Sequence, residues 1–301
     1  MSKGKVLVTG RYGFTGRYVA SALEAAGWQV WGTFSHQNDQ SGTFDRVVDL
    51  TNADSVQRMV NDTMPDAVVH LAGISFVGHG GVEDFYRVNV VGTRNLLEAL
   101  YNSRCAQQGV ILASSANIYG NTSDNPITEN TKPIPLNDYA VSKLAMEQMA
   151  NLFTEKLPIA ITRPFNYTGI GQDPKFLIPK IVKHFRNREP KIELGNIDIE
   201  RDFSDVRDVA QIYALLLDAQ NAWGQSINIC SGHTISMDAI IHICSQITQH
   251  EIMIDINSAF VRANEIKTLC GNPSKLNSMI AGFESRSFES TLRWMLLQQE
   301  Y

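Results

Sequence analysis

The sequence predicts an α/β protein: a doubly wound parallel sheet with a smaller α/β substrate-binding lobe attached. Three observations carry this expectation. Short β-rich runs alternate with amphipathic helical stretches through the first half of the 301 residues, the order a parallel sheet requires. Several of these runs are largely apolar, as strands covered on both faces are. The first run ends in three glycines spaced by three, where strand gives way to helix.

Taken in order, Lys5–Thr9 is a strand with an apolar centre, and residues 14–26 form the helix after it. Residues 28–33 and 46–49 are the next two strands, and 54–61 a short helix. The run at 67–71 is again apolar and strand-like, and helical periodicity returns over 85–101. Val110–Ala113 and residues 159–162 are strands separated by a helix over 139–154. Past Arg163 the alternation loses its regular spacing: 164–174 is loop-like, 176–187 helical, and shorter pieces follow. Residues 205–220 and 226–228 are expected to return to the sheet. The division expected is a first unit over 1–165, rejoined by 205–229, and a second lobe over 166–204 and 230–301. The active site is expected between them.

A hydrophobic fraction of 44% and a charged fraction of 19% are those of a folded chain and exclude a disordered one. The net charge of -5 disfavours nucleic acid and anionic membrane as partners, so an anionic substrate needs a local cluster of cations and backbone donors. Cys105, Cys230, Cys244 and Cys270 stand far apart with no paired spacing and no histidine at ligand spacing, which predicts no metal site and a reducing compartment. The opening MSKGKVLVTG lacks the apolar core of a signal peptide, and no apolar run reaches the ~18 residues that span a bilayer. The expected location is the cytoplasm.

The glycine run reads Thr9-Gly10-Arg11-Tyr12-Gly13-Phe14-Thr15-Gly16. Gly10 permits a tight turn, Gly13 lets backbone approach a pyrophosphate, and Gly16 lets the helix pack closely on the sheet. The free N–H groups of the helix start face the phosphates. A carboxylate ending the second strand would accept bonds from an adenosine ribose and select NAD. Here stand Thr33, Phe34, Ser35 and His36, and Arg11 in the loop can face a 2′-phosphate. NADPH is therefore the predicted cofactor, with NAD as the alternative. Gly73, closing His70-Leu71-Ala72-Gly73 after another strand, permits a further close approach.

Tyr139 and Lys143 open a helix four residues apart, which puts phenol and ammonium on one face. An unperturbed tyrosine has a pKa of about 10, and a neighbouring positive charge brings it nearer working pH. Lys143 is expected to supply that charge. Ser114 and Ser115 follow the fifth strand, at the edge where such sheets bind ligands, and Ser115 can hold a substrate oxygen that Tyr139 also touches.

Strand-end serine, YxxxK and a GxxGxxG turn in this order resemble the extended short-chain dehydrogenase/reductase superfamily, whose Rossmann sheet carries a TGxxGFxG signature. The resemblance implies a cofactor site of Gly10, Arg11, Tyr12, Gly13, Phe14, Thr15, Gly16, Ser35, Asp49, Leu50, Leu71, Ala72, Gly73, Asn89, Ser114, Tyr139 and Lys143. It implies Ser115, Tyr139 and Lys143 as the catalytic set. In the 4,6-dehydratases of this fold an acidic pair follows the catalytic serine or threonine; here Ala116 and Asn117 lack carboxylates, leaving reduction or epimerisation.

Further segments resemble the sugar-nucleotide branch, and within it the reductases of GDP-4-keto-6-deoxy sugars. They are Arg163-Pro164-Phe165-Asn166 with Tyr167-Thr168-Gly169-Ile170-Gly171-Gln172, then Arg201-Asp202-Phe203, then Arg262 with Glu265 and Lys275. The resemblance implies substrate contacts from Ser115, Ala116, Asn117, Tyr139, Asn166, Lys180, Arg201, Arg262 and Glu265, with the two arginines gripping a diphosphate. It also implies NADPH-dependent reduction at C4 of a GDP-linked 4-keto sugar, for surface polysaccharide synthesis, by a homodimer paired through the helices at 89–101 and 139–154. Tyr167 stands where the family often carries His, at a position expected near the sugar. A UDP- or dTDP-sugar 4-epimerase holding NAD, or a reductase of a GDP-4-keto heptose, would share most of these residues. So would a catalytically idle dinucleotide sensor, although it has no need of all three catalytic groups.

Overall fold

The computed structural model describes residues 3–35, 42–75, 81–261 and 267–298. The chain begins β1 (Lys5–Thr9), α1 (Phe14–Ala25), β2 (Gln29–Phe34), β3 (Asp45–Val47), α2 (Ala53–Thr63) and β4 (Ala67–His70). A helical stretch follows in three parts: α3 (Val82–Tyr86), a π-helical turn (Arg87–Gly92) and α4 (Thr93–Asn102). Then come β5 (Val110–Ala113), α5 (Asp138–Ala150) and β6 (Ile159–Pro164).

These strands, with one from later in the chain, form a seven-stranded parallel sheet. The later strand is β10, reached through β7 (Asn166–Thr168), α6 (Leu177–Arg186), β8 (Lys191–Leu194), β9 (Glu200–Asp205) and α7 (Val206–Asp218). β10 (Ser226–Ile229) pairs with β6, and the spatial order is β10-β6-β5-β4-β1-β2-β3. The chain builds outward from β1 to β3, crosses back to β4 and builds the other way. β1 and β4 therefore flank the point where strand order reverses, the place where open α/β sheets hold ligands.

Strand alternation explains both layers of core. Val6 and Val8 of β1, Ala67 and Val69 of β4, Ile111 and Ala160 all face the cluster containing α1 and α7. Leu7, Val68, Val110, Leu112, Ile159 and Ile161, one step out of phase, face α2, α4 and α5. Asn52, Asn137 and Asp205 cap α2, α5 and α7 by accepting backbone N–H bonds. α1 opens at Gly13 with no side-chain cap.

The rest of the second half adds β11 (Thr234–Ser236), α8 (Met237–Thr248), β12 (Met253–Ile256), β13 (Thr268–Leu269), α9 (Ser274–Met279) and α10 (Phe288–Leu297). β9 pairs with β7, β11 and β13 in a small mixed sheet, and β8 pairs with β12. Ile181, Phe185, Ile240, Cys244 and Leu292 unite α6, α8 and α10 in a third core.

Two helices differ from the sequence expectation. The stretch expected at 85–101 starts earlier and contains the π turn, where Gly92 lies against Leu50 too closely for a Cβ to fit without movement. The helix expected over 139–154 ends at Ala150 and tightens into a 3₁₀ turn over Asn151–Phe153.

Candidate active site

At the end of β1, Gly10 adopts φ +72°, and a Cβ there would press on the backbone of Ala72 at 3.2 Å. A Cβ on Gly16 would overlap the carbonyl oxygens of Gly10 and Arg11, so this turn admits only glycine. The glycine loop and the segment after β4 thus approach backbone to backbone. Arg11 is not placed as expected. Its guanidinium reaches back along the sheet to Asp45 at 3.1 Å and Glu24 at 3.0 Å, away from the end of β2. Asp45 also accepts the Tyr12 hydroxyl at 2.6 Å. Arg11 therefore gives no support to a 2′-phosphate reading. Ser35 lies exposed at the end of β2, and His36 falls outside the described residues.

Across the strand-order reversal, Thr9 and His70 are register partners and hydrogen-bond through their side chains at 2.7 Å. The backbone N–H groups of Leu71 and Ala72 both donate to Thr9 Oγ1. On the other side, His70 Nε2 meets Thr93 Oγ1 at 2.8 Å, and that hydroxyl donates to the Asn89 carbonyl at 2.7 Å. Thr93 spends its proton on Asn89, so it accepts from His70 Nε2–H, and His70 Nδ1 accepts from Thr9. The network holds one neutral tautomer. Burial, with the nearby Lys143 charge, pushes the imidazole pKa down to about 3.

Asn89, on the π turn, accepts the Ile74 N–H at 2.9 Å and donates to Ser142 at 3.0 Å. It ties the segment after β4 to α5. Gly73 sits in that angle: a Cβ there would fall 2.7 Å from the Asn89 side-chain oxygen and 3.4 Å from Lys143 Nζ. Asp49 is exposed and accepts two bonds from Thr51, which hold its carboxyl below the usual range, while Leu50 is buried under α4.

Ser115, Tyr139 and Lys143 come together at the carboxyl ends of β4 and β5. Asn137 caps α5 and so starts the helix that carries Tyr139 and Lys143 on one face. Tyr139 lies beside Ser115, whose side chain favours the ionised phenol, and Lys143 donates to the Ala113 carbonyl at 2.8 Å. The electrostatics differ from expectation. Burial, the dominant effect, pushes Tyr139 up to about 12, and Ser115 is what opposes it; the phenol is held as a proton donor. Lys143 is itself pushed down by burial to about 8, with Glu147 opposing.

Sequence reasoning missed Glu147 and Arg163. Glu147 extends the Tyr139–Lys143 stripe by one more turn, a spacing that could have revealed it. It takes Arg163 in two bonds, of 3.0 and 2.7 Å, and both side chains are buried. Arg163 also donates to the Tyr119 hydroxyl at 2.9 Å and the Glu129 carbonyl at 3.1 Å. This locks the end of β6 behind the catalytic helix.

On the substrate side, Ala116 is buried and Asn117 exposed. Asn166 is exposed at the start of β7, which shares a small sheet with Arg201 on β9. Arg201 is mostly buried and donates to the carbonyls of Glu200 and Lys267. Asp202 is not its ion-pair partner: it is fully buried and accepts from Ser231, Gly232 and Gly271. Lys180 donates to the Glu193 carbonyl at 2.6 Å over the Phe260 ring, and Lys275 to the Ser226 carbonyl at 2.7 Å. Arg262 and Glu265 lie outside the described residues. Tyr167 was expected at the sugar, yet its hydroxyl meets Thr15 of the glycine loop at 2.8 Å and its ring stacks on Phe14.

These features suit a dinucleotide. The uncapped start of α1 offers N–H donors to phosphates, Gly10 and Gly73 keep backbone open to close approach, and the buried Ser114 hydroxyl has no protein partner among the described residues. Among those residues no three His, Cys, Asp or Glu side chains cluster to hold a metal, and no helix is long and apolar enough to cross a membrane.

Fold and site together define an extended short-chain dehydrogenase/reductase. The chain belongs to the GDP-mannose 4,6-dehydratase family, whose sequence model matches residues 7–295. It is 37% identical to a GDP-6-deoxy-D-talose 4-dehydrogenase of Aggregatibacter actinomycetemcomitans, over 92% of this chain and 91% of that one. It is 31% identical to a GDP-6-deoxy-D-mannose reductase of Pseudomonas aeruginosa, over 98% and 97%. A structure of RMD from Pseudomonas aeruginosa complexed with NADPH superposes with a TM-score of 0.85, at 30% identity over 98% of both chains.

Proposed function

We propose that the protein is an NADPH-dependent reductase of the C4 carbonyl of a GDP-4-keto-6-deoxy sugar, giving a GDP-6-deoxy-D-mannose type product. The observation that carries this reading is the union of Ser115, Tyr139 and Lys143 at the strand ends, beside the Gly10 and Gly73 cradle. The two relatives support the GDP-sugar, and the NADPH complex supports the cofactor. Two further features favour reduction over dehydration despite the family's title: Ala116 and Asn117 have no carboxylate, and Tyr139 is held in its protonated form.

The bound nicotinamide supplies a hydride. In this reading Gly10, Gly13, Thr15, Gly73 and Ser114 hold the cofactor, while Asn166 and Arg201 hold the sugar diphosphate. Ser115 hydrogen-bonds the C4 oxygen. As the carbonyl becomes an alcohol, Tyr139 gives its phenolic proton to the forming alkoxide. The phenolate left behind is steadied by Ser115 and the Lys143 ammonium until solvent returns the proton. A cytoplasmic homodimer paired through α4 and α5 belongs to the same reading.

D-talose and D-mannose differ in configuration at C4, so the higher identity to the talose enzyme favours a second reading with the opposite C4 face reduced. One experiment tests both. NADPH oxidation is followed with GDP-, UDP- and dTDP-linked 4-keto-6-deoxy sugars, and the C4 configuration of the product is read by NMR. Turnover with UDP or dTDP sugars alone, or stoichiometric NAD with no net NADPH consumption, overturns the proposal.

A further inference from the structure

Tyr167 is a half-buried aromatic hydroxyl that the reaction above does not use. It stands on β7, the short strand leading into the second half, yet its side chain crosses to the glycine loop. Its ring lies parallel to that of Phe14, with centroids 6.1 Å apart. The loop after it is fastened to the same helix: Tyr18 donates to the Ile170 carbonyl at 2.8 Å, and Arg17 to the Gly171 carbonyl at 3.2 Å. Three contacts along α1 thus fix the segment that begins with Asn166.

Thr15 is the second residue of α1, in the first turn of an uncapped helix start. Its backbone N–H has no acceptor within the helix, and its hydroxyl stands in the same first turn as those free donors. A phenol is a stronger hydrogen-bond donor than an aliphatic hydroxyl, so the 2.8 Å contact favours Tyr167 donating to Thr15. The Thr15 proton is then free to point toward the helix start. Hydroxyls chained in this way polarise one another, which strengthens the last donor.

We propose that Tyr167 is a positioning residue of the dinucleotide site: by donating to Thr15 it turns the Thr15 hydroxyl onto the cofactor's diphosphate. This rests on the dinucleotide reading above. It moves Tyr167 from the sugar, where the sequence put it, to the cofactor. It also makes one segment answer to both ligands, because Asn166 precedes Tyr167 directly.

The test is binding of NADPH to the purified full-length protein with no sugar nucleotide present, read by nicotinamide fluorescence and by the shift in melting temperature. Tyr167→Phe keeps the ring stack and removes only the hydroxyl. Its Kd for NADPH should rise by roughly 2- to 12-fold, the range expected for losing one hydrogen bond between neutral groups. Thr15→Val should give a similar loss. The double variant should lose little more than either single change, because both cut one chain. The KM for the sugar nucleotide at saturating NADPH should stay unchanged in Tyr167→Phe. An unchanged Kd with a lower melting temperature in the free protein would make Tyr167 structural and overturn the proposal. A raised sugar-nucleotide KM with an unchanged NADPH Kd would return it to the sugar and do the same. If the unaltered protein binds neither NADPH nor NADH, the dinucleotide reading itself fails and this proposal with it. That result is distinct from equal binding by the variant.

Discussion

Replacing His70 by Gln should flatten the acid side of the protein's stability profile. The imidazole is buried and neutral, with Nε2–H given to Thr93 and Nδ1 accepting from Thr9. Its folded pKa is about 3 against 6.5 in the unfolded chain. Between these values the unfolded state binds a proton that the folded state refuses. Stability therefore falls as pH drops below 6.5, and the loss is complete only near pH 3. At 1.36 kcal/mol per unit, lowering the pH from 7 to 5 should cost about 2 kcal/mol through His70 alone. For a chain of this size that is roughly 3 °C in Tm. The assay is thermal melting of both proteins at pH 7 and pH 5. Carboxylates titrate equally in both, so their contribution cancels, and the unaltered protein should lose about 3 °C more than His70→Gln. Equal losses would refute the reasoning, as would NMR nitrogen shifts showing a doubly protonated His70 at pH 5.

Other consequences are as direct. Tyr139→Phe should lower kcat by roughly 10²–10⁴-fold in steady-state NADPH oxidation while the melting temperature stays close to that of the unaltered protein. Glu147→Gln strands the buried Arg163 guanidinium and should cost on the order of 3–5 kcal/mol by chemical denaturation. The same change removes the charge that raises Lys143, so the alkaline limb of kcat should move to lower pH; a move upward would contradict the assignment. Arg11→Gln leaves the buried Asp45 short of one donor and should lower Tm, while the ratio of NADPH to NADH affinities should change well under tenfold. A selective collapse of NADPH binding would restore Arg11 to the 2′-phosphate.

The parallel sheet could be read from the chain because its strands are buried on both faces and its helices carry a full period between them. The π turn at Arg87–Gly92 could not, since a change of helical pitch leaves the apolar stripe nearly intact. Three-residue strands such as β7 and β11 hold too few residues to show alternation. Ser115, Tyr139 and Lys143 were legible because strand ends and helix spacing fix them locally. Arg11 was misread because its partner, Asp45, is 34 positions away and is delivered by the pairing of Gly32 with Asp45. Asp202 follows Arg201 directly yet does not pair with it, because adjacent residues of a strand point to opposite faces. Tyr167 shows the same limit: nothing in RPFNYTGIGQ announces that its hydroxyl ends on Thr15, 152 positions earlier.

The late arrival of α7 and β10 has a consequence for how the protein is made. One whole face of the central sheet, including Val6, Val8, Val69 and Ile111, is covered in large part by Val209, Ile212, Tyr213, Leu216 and Leu217. At synthesis rates of about 5–20 residues per second, the stretch between β6 and α7 leaves the part of that face not covered by α1 bare for seconds during translation. A nascent chain stopped after β6 would carry an open apolar surface and an unpaired edge, a good substrate for chaperones and for aggregation. The segment that separates the two parts of the sheet is also the one fastened to α1 through Tyr167, Tyr18 and Arg17. Those contacts can begin to fold it back onto the nascent first half before the sheet is complete.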